Sequence, residues 1–368
     1  MRKFTKPNWK KCNLNISATL AEFLGAPNKN KTLPLLKKEL SRGYKNIVFI
    51  CFDGLGLNPI KKHLPANNLL RKNIKQILTS TFPSTTTNAT TSLTCNLLPL
   101  EHGWFGWSLH FNEIERNIDI YLHKDSQTGE KVDFSYSIED NSNCYFDNAK
   151  TDYNITPVLP IFVQTKSKNK MIIENEDDLC EAISKVCSQP GKQFIYSYLP
   201  DPDSTMHEFG VSSLEAKNKI HSIYEKIKNI YEKTSNTLFI ITADHGQIDV
   251  EGYVEFYKDK ELNELLECFP YLDARTPAFI VKKGKEKLFE TIFKKRYSKD
   301  FKLFKSKDLI KKGYFGNRGD KGYLLGDYIA IGTHTHKQFL YSENVTKFKG
   351  HHTSLTEEMK VPLIILKN

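Results

Sequence analysis

The chain has 368 residues, of which 39% are hydrophobic, and its formal net charge at pH 7 is +10. This length suits one large domain with an insertion, or two domains, and the mean hydropathy of -0.48 argues against a membrane span. The positive charge favours small anionic partners such as nucleotides or phosphate esters, and no alternation of aromatic and basic residues indicates a nucleic-acid surface.

The first predicted elements place a carboxylate at the end of a strand. Residues 1–44 have a helical and irregular pattern, and residues 45–52 form a continuous apolar run of strand length. Such a run predicts a buried parallel strand, and it ends at Asp53, which a glycine follows. Helices are predicted over 59–71 and over about 87–96, where the preceding threonines are typical of a helix start.

Residues 104–163 differ in character, because they are rich in aromatic and polar side chains and carry a hairpin signal at 125–129. We predict an insertion or cap here. Further strands are predicted over 193–199, 237–243, 277–281, 327–331 and 361–366, and further helices over 176–186, 213–233 and 285–293. This alternation predicts an α/β fold, with a mostly parallel sheet sandwiched by helices.

Polar side chains follow several of the predicted strands. Asp244 and His245 follow the strand over 237–243, while Asp203 and His207 are four residues apart, a spacing that places both on one face of a helix. Ligands of open parallel sheets bind at the carboxyl ends of strands. A buried carboxylate there costs folding energy unless it is hydrogen-bonded or holds a metal, so we expect a metal site at this edge.

Two further segments are candidates for the same site. The pair His351 and His352 precedes the last predicted strand, whereas His334 and His336 are rival ligands that we assign to a surface loop. The stretch 81–94 is rich in threonine. A hydroxyl nucleophile needs activation by a base or a metal, and a nearby helix N-terminus would offer N–H groups to a phosphate.

The seven cysteines are odd in number and include no Cys-x-x-Cys pair. This favours reduced thiols over a disulfide framework or a thiolate zinc site. The basic N-terminus is not followed by the apolar segment of a secretory signal. We therefore expect a cytoplasmic protein, and no sequence feature indicates a protein partner.

Together these segments resemble the nucleotide pyrophosphatase/phosphodiesterase branch of the alkaline phosphatase superfamily, and bacterial members in particular. The best signature is Phe-Pro-Ser-Thr-Thr at 82–86 with Glu-His-Gly at 101–103. The next is Leu-Pro-Asp-Pro-Asp-Ser at 199–204 with the downstream His207. The resemblance implies an alkaline-phosphatase-like core with an inserted small cap.

The resemblance also implies a division of the chain. Residues 1–44 would be a lead-in packed on the core, and residues 45–368 would form the catalytic domain. Within it, the cap would span about 104–163, and a second variable segment would span about 250–345.

Two divalent metals, zinc by type, are implied by the resemblance. The first would be held by Asp53, Asp244, His245 and the nucleophile, and the second by Asp203, His207 and His352. In the bacterial pattern a histidine stands three residues before a Leu-Thr pair, which selects His352 over His351. Residues 353–354, Thr-Ser, take the place of the two glycines that usually follow.

The nucleophile is assigned by spacing within the family. The threonine lies sixteen residues before the histidine of the His-Gly pair, and counting back from His102 gives Thr86, with Thr85 as second choice. Thr81 is a further alternative, because it precedes a Phe-Pro pair as the nucleophile of eukaryotic relatives does. Trp107 stands where the family has a phosphate-binding asparagine, so phosphate contacts would come from the backbone N–H of Thr86 or Thr87, from Asn88 or from Arg275. Trp107 is itself a candidate substrate contact, because the aromatic side chains of the insertion could stack on a nucleobase or form the core of a small cap.

The implied function is hydrolysis of phosphodiester or pyrophosphate bonds in nucleotide-like substrates through a phosphothreonine intermediate. A phosphomonoesterase or phosphonate hydrolase of the same superfamily would use the same metals. A different class, a non-catalytic basic binder of nucleic acid or anionic surfaces, rests on the net charge. A structural metalloprotein with a degenerate site is the third alternative.

Overall fold

A computed structural model describes residues 4–134, 138–140 and 142–368 of the chain. The helices are α1 Leu14–Phe23, α2 Pro34–Leu40, α3 Leu57–His63, α4 Leu69–Lys72, α5 Thr86–Cys95, α6 Pro99–His102, α7 Glu176–Cys187, α8 Asp203–Phe209, α9 Leu214–Lys233, α10 Lys260–Asn263, α11 Glu286–Tyr297 and α12 Ser306–Lys311. The strands are β1 Asn46–Phe52, β2 Ile74–Thr79, β3 Ser108–Phe111, β4 Arg116–Asp119, β5 Lys124–Asp125, β6 Tyr153–Leu159, β7 Met171–Ile172, β8 Lys192–Leu199, β9 Thr237–Ala243, β10 Ile248–Asp249, β11 Gly252–Glu255, β12 Ala278–Phe279, β13 Phe301–Lys305, β14 Tyr328–Gly332, β15 Lys337–Leu340, β16 Gly350–His351 and β17 Lys360–Lys367.

A seven-stranded sheet with the order β2-β17-β9-β1-β8-β6-β7 forms the centre of the fold. Strand β1 pairs in parallel with β8 on one side and with β9 on the other, and β6 and β7 continue the parallel pairing. Strand β17 is antiparallel to both of its neighbours. Every residue of β1 and β9 is buried, as the continuous apolar runs predict.

Helices cover the sheet and share its core. The apolar face of α9 repeats at helical spacing, with Ile220, Ile223, Ile227 and Ile230 all buried in the same cluster as the central strands. Ile16 and Leu20 of α1 lie in that cluster as well. The prediction of a mostly parallel sheet sandwiched by helices is confirmed. In the described part of the chain, no helix combines the length and the apolar character needed to cross a membrane.

Within the described residues, four smaller sheets stand apart from the central one, and β10 with β16 and β11 with β15 form the two-stranded ones. The other two have three strands each. Strands β3, β4 and β5 form the first of these, and the turn predicted at 125–129 directly follows β5. Strands β12, β14 and β13 form the second, which has a core of its own with α11. The predicted cap at 104–163 includes residues 135–137 and 141, which lie outside the described residues, as do residues 1–3 of the lead-in.

The cap boundary and two local elements differ from the predictions. Tyr153–Leu159 is not part of a cap but strand β6 of the central sheet; its proline and polar residues weaken the apolar pattern that marks a strand. The helix predicted over 59–71 breaks after His63, because the proline at 65 disfavours helical backbone at Leu64, which is extended. The half-exposed strand β2 lacked any sequence prediction.

Candidate active site and metal centre

The ends of neighbouring parallel strands bring the first two carboxylates together. Phe52 of β1 pairs with Ala243 of β9, so the next residues, Asp53 and Asp244, emerge side by side. The backbone N–H of Gly54 donates to Asp244 Oδ1 at 3.1 Å. Gly54 has a φ of +69°, and a Cβ there would lie 2.8 Å from Asp203 Oδ1. A residue without a side chain is therefore required at this turn.

The first cluster contains Asp53, Asp244 and His245, whose ligand atoms lie within 4.8 Å of one another. His245 Nε2 is 3.3 Å from Asp53 Oδ1 and 3.3 Å from Asp244 Oδ2. Thr86, the first residue of α5, directs its hydroxyl at this group. Its Oγ1 lies 3.2 Å from Asp53 Oδ2 and 3.2 Å from His245 Nε2.

The second cluster contains Asp203, His207 and His352. Asp203 and His207 lie one turn apart on α8, with His207 Nε2 3.1 Å from Asp203 Oδ2. His352 Nε2 is 3.2 Å from His207 Nε2 and 4.0 Å from Asp203 Oδ1. The Nδ1 atom of His207 pairs with the Gly350 carbonyl at 2.8 Å, which leaves Nε2 facing the cluster.

The two clusters adjoin each other. The ring centroids of His245 and His352 are 3.9 Å apart, and the ligand atoms of Asp203, His245 and His352 also lie within 4.8 Å of one another. The structure therefore brings six predicted ligands and Thr86 to one place.

Three buried carboxylates in close proximity create an excess of negative charge. Burial, followed by the charge of Asp244, raises the pKa of Asp53 well above its ordinary value. Burial and the charge of Asp203 raise the pKa of Asp244 to about 7. Within the described residues, Asp244 Oδ2 has no hydrogen-bond partner. A divalent cation would satisfy this oxygen and remove the repulsion, so the residues present fit a metal.

The imidazoles are suited to bind that cation. Burial lowers the pKa of His352 well below its ordinary value, so this ring is neutral, as a metal ligand must be. Burial alone would raise the pKa of Asp203, but the neighbouring His207 holds it below its ordinary value. Asp203 therefore remains a carboxylate.

Two buried side chains that sequence reasoning missed orient the carboxylates. Tyr198 donates its hydroxyl proton to Asp53 Oδ2. Gln247 donates from Nε2 to Asp203 Oδ1 and, at 3.1 Å, to the Asp203 carbonyl. Tyr198 is the penultimate residue of the parallel strand β8 and pairs in register with Cys51, two residues before Asp53. Its position near the carboxyl end of a predicted strand was the signal present in the sequence.

A cavity of about 780 Å³ opens beside the clusters. Its wall includes aromatic side chains from several loops, among them Trp104, Trp107, Tyr121, Phe162 and Phe348. Trp107 is 41% exposed, and its ring lies 6.4 Å from that of Tyr121. The predicted contact Trp107 therefore faces the space that a substrate would occupy.

The other predicted contacts lie elsewhere. Asn88 is fully buried and donates from Nδ2 to the Pro83 carbonyl at 2.8 Å. Arg275 is also fully buried, 3.4 Å from Glu358 Oε1. Neither lines the cavity, because both side chains are held by protein partners.

Thr85, the alternative nucleophile, and His351, the alternative metal ligand, both lie close to Asp273. Thr85 Oγ1 donates to Asp273 Oδ2 at 2.9 Å, away from the first cluster. His351 Nε2 lies 3.5 Å from Asp273 Oδ1, although His351 also groups with His207 and His352. Asp273 lines the cavity, and sequence reasoning did not select it.

Carboxylates and imidazoles gathered at the carboxyl ends of parallel strands, beside an open cavity, define an alkaline-phosphatase-like α/β protein. The chain belongs to the type I phosphodiesterase/nucleotide pyrophosphatase family, whose model matches residues 47–338. The resemblance stated from the sequence is thereby confirmed. Membership supports a hydrolase of phosphorus esters and implies the use of divalent metals.

Solved structures with the same fold come from mouse, human and a bacterium. Murine ectonucleotide pyrophosphatase/phosphodiesterase 5 is 15% identical, with a TM-score of 0.63 and 88% of each chain covered; an inactive form of it was solved in complex with AMP. The human protein of the same name is 15% identical, with a TM-score of 0.61 and 87% of each chain covered. Phosphonoacetate hydrolase from Sinorhizobium meliloti 1021, in complex with phosphonoformate, is 13% identical, with a TM-score of 0.61 and coverage of 87% of this chain and 89% of that one. No curated protein sequence gave a significant match.

Proposed function

We propose that the chain is a two-metal hydrolase that cleaves phosphodiester or pyrophosphate bonds in nucleotide-like small molecules through a phosphothreonine at Thr86. The observation that carries this proposal is the position of the Thr86 hydroxyl, 3.2 Å from both Asp53 Oδ2 and His245 Nε2. Thr86 also lines the cavity. A hydroxyl between potential metal ligands and an open cavity supports the role of a nucleophile.

Two divalent cations, zinc by the chemistry of the donors, are part of the proposal. The first would bind Asp53, Thr86, Asp244 and His245, and the second Asp203, His207 and His352. Imidazole and carboxylate ligands suit zinc. When bound, the cations would polarise the phosphoryl oxygens, lower the pKa of the Thr86 hydroxyl and stabilise the leaving oxygen.

The reaction proceeds in two displacements. Thr86 Oγ1 attacks phosphorus, the bond from phosphorus to the leaving oxygen breaks, and that oxygen takes up a proton. The acceptor for the Thr86 proton would be Asp53 Oδ2, 3.2 Å away, because the Nε2 atom of His245 would be occupied by the metal. The first N–H groups of α5, which have no partner within the helix, would bind a phosphoryl oxygen. Water then attacks the phosphothreonine, which releases the phosphate product and restores Thr86.

The nucleotide-like substrate is supported by the aromatic wall of the cavity. Trp107 and Tyr121 present rings to the space beside Thr86, and a nucleobase stacks favourably on such rings. The murine relative solved with AMP has the same fold, which is consistent with this choice.

Thr86→Ala tests the assignment, with Thr85→Ala as the matched control. Thr86→Ala should still bind zinc but lose turnover of bis-p-nitrophenyl phosphate by about a thousandfold or more, whereas Thr85→Ala should keep most of it. Full turnover in Thr86→Ala would move the nucleophile to Thr85 or Thr81. A purified chain that binds no zinc and turns over no phosphoester would instead favour a non-catalytic basic protein that binds nucleic acid or anionic surfaces.

A phosphonate hydrolase or phosphomonoesterase is the second candidate, because Trp107 replaces the asparagine that the family uses to bind phosphate. Turnover of bis-p-nitrophenyl phosphate, p-nitrophenyl phosphate and phosphonoacetate separates the candidates. We expect the diester to have the highest kcat/KM. A tenfold preference for either of the others would replace the proposed function.

We also propose the location and the division of the chain. All seven cysteines are free thiols, which supports a reducing, cytoplasmic location. Residues 1–44 form the lead-in and 45–368 the catalytic domain, with a second variable segment over about 250–345. The cap begins near residue 104 and ends before β6.

A further inference from the structure

A second group of potential metal ligands lies outside the cavity. His334 and His336 lie in the loop between β14 and β15. They face Glu357, which belongs to the segment that follows His352. The ligand atoms of the three residues lie within 4.8 Å of one another. His334 Nδ1 is 3.6 Å from Glu357 Oε2, and His336 Nε2 is 3.8 Å from the same oxygen. None of the three lines the catalytic cavity.

The ring nitrogens of His334 lack the hydrogen bonds that buried nitrogens require. Nδ1 and Nε2 are both shielded from solvent, and neither has a hydrogen-bond partner in the described part of the chain. A buried polar atom without a partner destabilises the folded chain, because it has lost its hydrogen bonds to water. A cation bound at Nδ1 would satisfy the atom that faces Glu357.

An outer carboxylate orients the second imidazole. Glu251 Oε1 lies 3.5 Å from His336 Nδ1, whereas Glu357 Oε2 lies 3.8 Å from Nε2 of the same ring. A carboxylate that pairs with one nitrogen while the other binds metal is the usual arrangement around metal-bound histidines. Glu251 therefore directs Nε2 of His336 towards Glu357.

The backbone of the loop is held in an uncommon conformation. His336 has a φ of +51°, a region that few residues other than glycine adopt. The His336 carbonyl accepts from the Glu251 N–H at 2.9 Å, and the His336 N–H donates to the Thr333 carbonyl at 3.2 Å. Strained residues of this kind cluster at ligand sites.

We propose that His334 Nδ1, His336 Nε2 and Glu357 Oε2 bind a third divalent transition metal, zinc by donor type, separate from the two proposed for catalysis. Ligand atoms on a tetrahedral zinc are about 3.3 Å apart. The separations of 3.6 and 3.8 Å exceed this value by only a few tenths of an ångström. Water would take the fourth position.

The third metal would fix the segment that carries a catalytic ligand. Glu357 follows His352 in the same loop, and the next residue, Glu358, is anchored to buried Arg275 at 3.4 Å. A metal on Glu357 would tie this segment to the loop between β14 and β15. Its role is to position His352 rather than to touch substrate.

The test counts zinc in four versions of the full chain, each stripped with a chelator and reloaded with zinc alone. They are the unaltered chain, His334→Gln with His336→Gln, Asp53→Asn with Asp203→Asn, and all four substitutions together. The first pair of substitutions should remove one zinc per chain in either background. The second pair should leave one zinc bound, and the quadruple variant should bind none.

Matched controls separate ligand loss from other effects. His110→Gln removes an imidazole that pairs with Asn117, and it should leave the zinc content unchanged. Glu251→Gln should retain the third zinc with about 10- to 100-fold weaker affinity. If the paired histidine variant does not fold, the single His336→Gln replaces it, and zinc should raise the Tm of the Asp53→Asn, Asp203→Asn protein but lose that effect once His336→Gln is added.

Equal zinc content and equal zinc-induced shifts with and without the two histidines would overturn the third site. Failure of the proposed catalytic site gives a different result, because Asp53→Asn with Asp203→Asn would then remove no zinc while the histidine variants still would.

Discussion

Replacing Tyr198 with phenylalanine should weaken the first metal cluster without emptying it. The Tyr198 hydroxyl donates to Asp53 Oδ2, and both side chains are buried. Burial and two neighbouring carboxylates raise the pKa of Asp53, and this hydrogen bond opposes the rise. Its removal therefore leaves Asp53 easier to protonate and a poorer ligand.

The size of the effect follows from the kind of bond that is lost. A hydrogen bond to a charged group is worth about 1.5–3 kcal/mol, which corresponds to about 10- to 150-fold in zinc affinity. Protons compete with zinc for Asp53 once its pKa has risen further. The loss of zinc affinity in Tyr198→Phe should therefore be larger at pH 6 than at pH 8.

Zinc affinity is measured by competition with a chelator of known affinity, and turnover of bis-p-nitrophenyl phosphate is measured alongside. Tyr196→Phe is the matched control. Tyr196 lies on the same strand and lines the same cavity, but its hydroxyl pairs with Thr94 Oγ1 at 2.8 Å instead of a carboxylate. Equal zinc affinities for the two variants at both pH values would refute the orienting role of Tyr198.

Four further outcomes test the site and its surroundings. Burial and the charge of Asp203 raise the pKa of Asp244 to about 7 in the folded, metal-free chain. The folded chain therefore binds more protons than the unfolded chain between about pH 4 and pH 7, and the free energy of unfolding of the chain should fall as pH rises through this range. Asp244→Asn should reduce this pH dependence when the free energy is measured by urea denaturation at each pH. Gln247→Met removes the donors to Asp203 and should lower zinc affinity by about 10-fold or more by calorimetric titration. Trp107→Ala should raise KM for nucleotide diesters several-fold while kcat changes little, because the lost stacking weakens binding of the substrate and the transition state equally. Steady-state kinetics measures both constants. Gly54→Ala should lower the free energy of unfolding by about 1–2 kcal/mol and weaken zinc binding, because its Cβ would lie 2.8 Å from Asp203 Oδ1; unchanged values in any of these assays would contradict the corresponding contact.

The central strands and their terminal carboxylates were predictable because the signal is local. The runs that became β1 and β9 are buried at every position, and parallel strands bring their carboxyl ends to one edge. Asp53 and Asp244 follow directly from that rule. The helical spacing of Asp203 and His207 is a local signal of the same kind.

Contacts between distant segments were not predictable in this way. Arg275 is a candidate anion contact in the sequence because exposed arginines bind phosphate, yet its partner is Glu358, and both side chains are fully buried. The side-chain amide of Asn88, in α5, donates a hydrogen bond to the carbonyl of Pro83, which lies in the turn before that helix. No periodicity or spacing encodes these pairings. The sequence did not predict strand β6 for a related reason. Its pairing with β8 in the folded chain stabilises a strand whose local apolar pattern is weak.

The proposed metal ligands and the loops that line much of the cavity come from different parts of the chain. The residues that would carry out the reaction are therefore largely distinct from those that would select the substrate. Asp53, Asp244 and His245 follow strands of the central sheet, Asp203 and His207 lie on α8, and His352 follows the short strand β16. Much of the wall comes instead from loop residues within 104–127, 162–164, 272–274 and 341–348. Loops of this kind vary without disturbing a sheet. A change in the wall should therefore alter KM and the choice of phosphoester, while the metal content and the reactivity of Thr86 stay the same. Conversely, a change at Asp53 or Asp203 should reduce turnover of every substrate by a similar factor, because all of them would share the same nucleophile and cations.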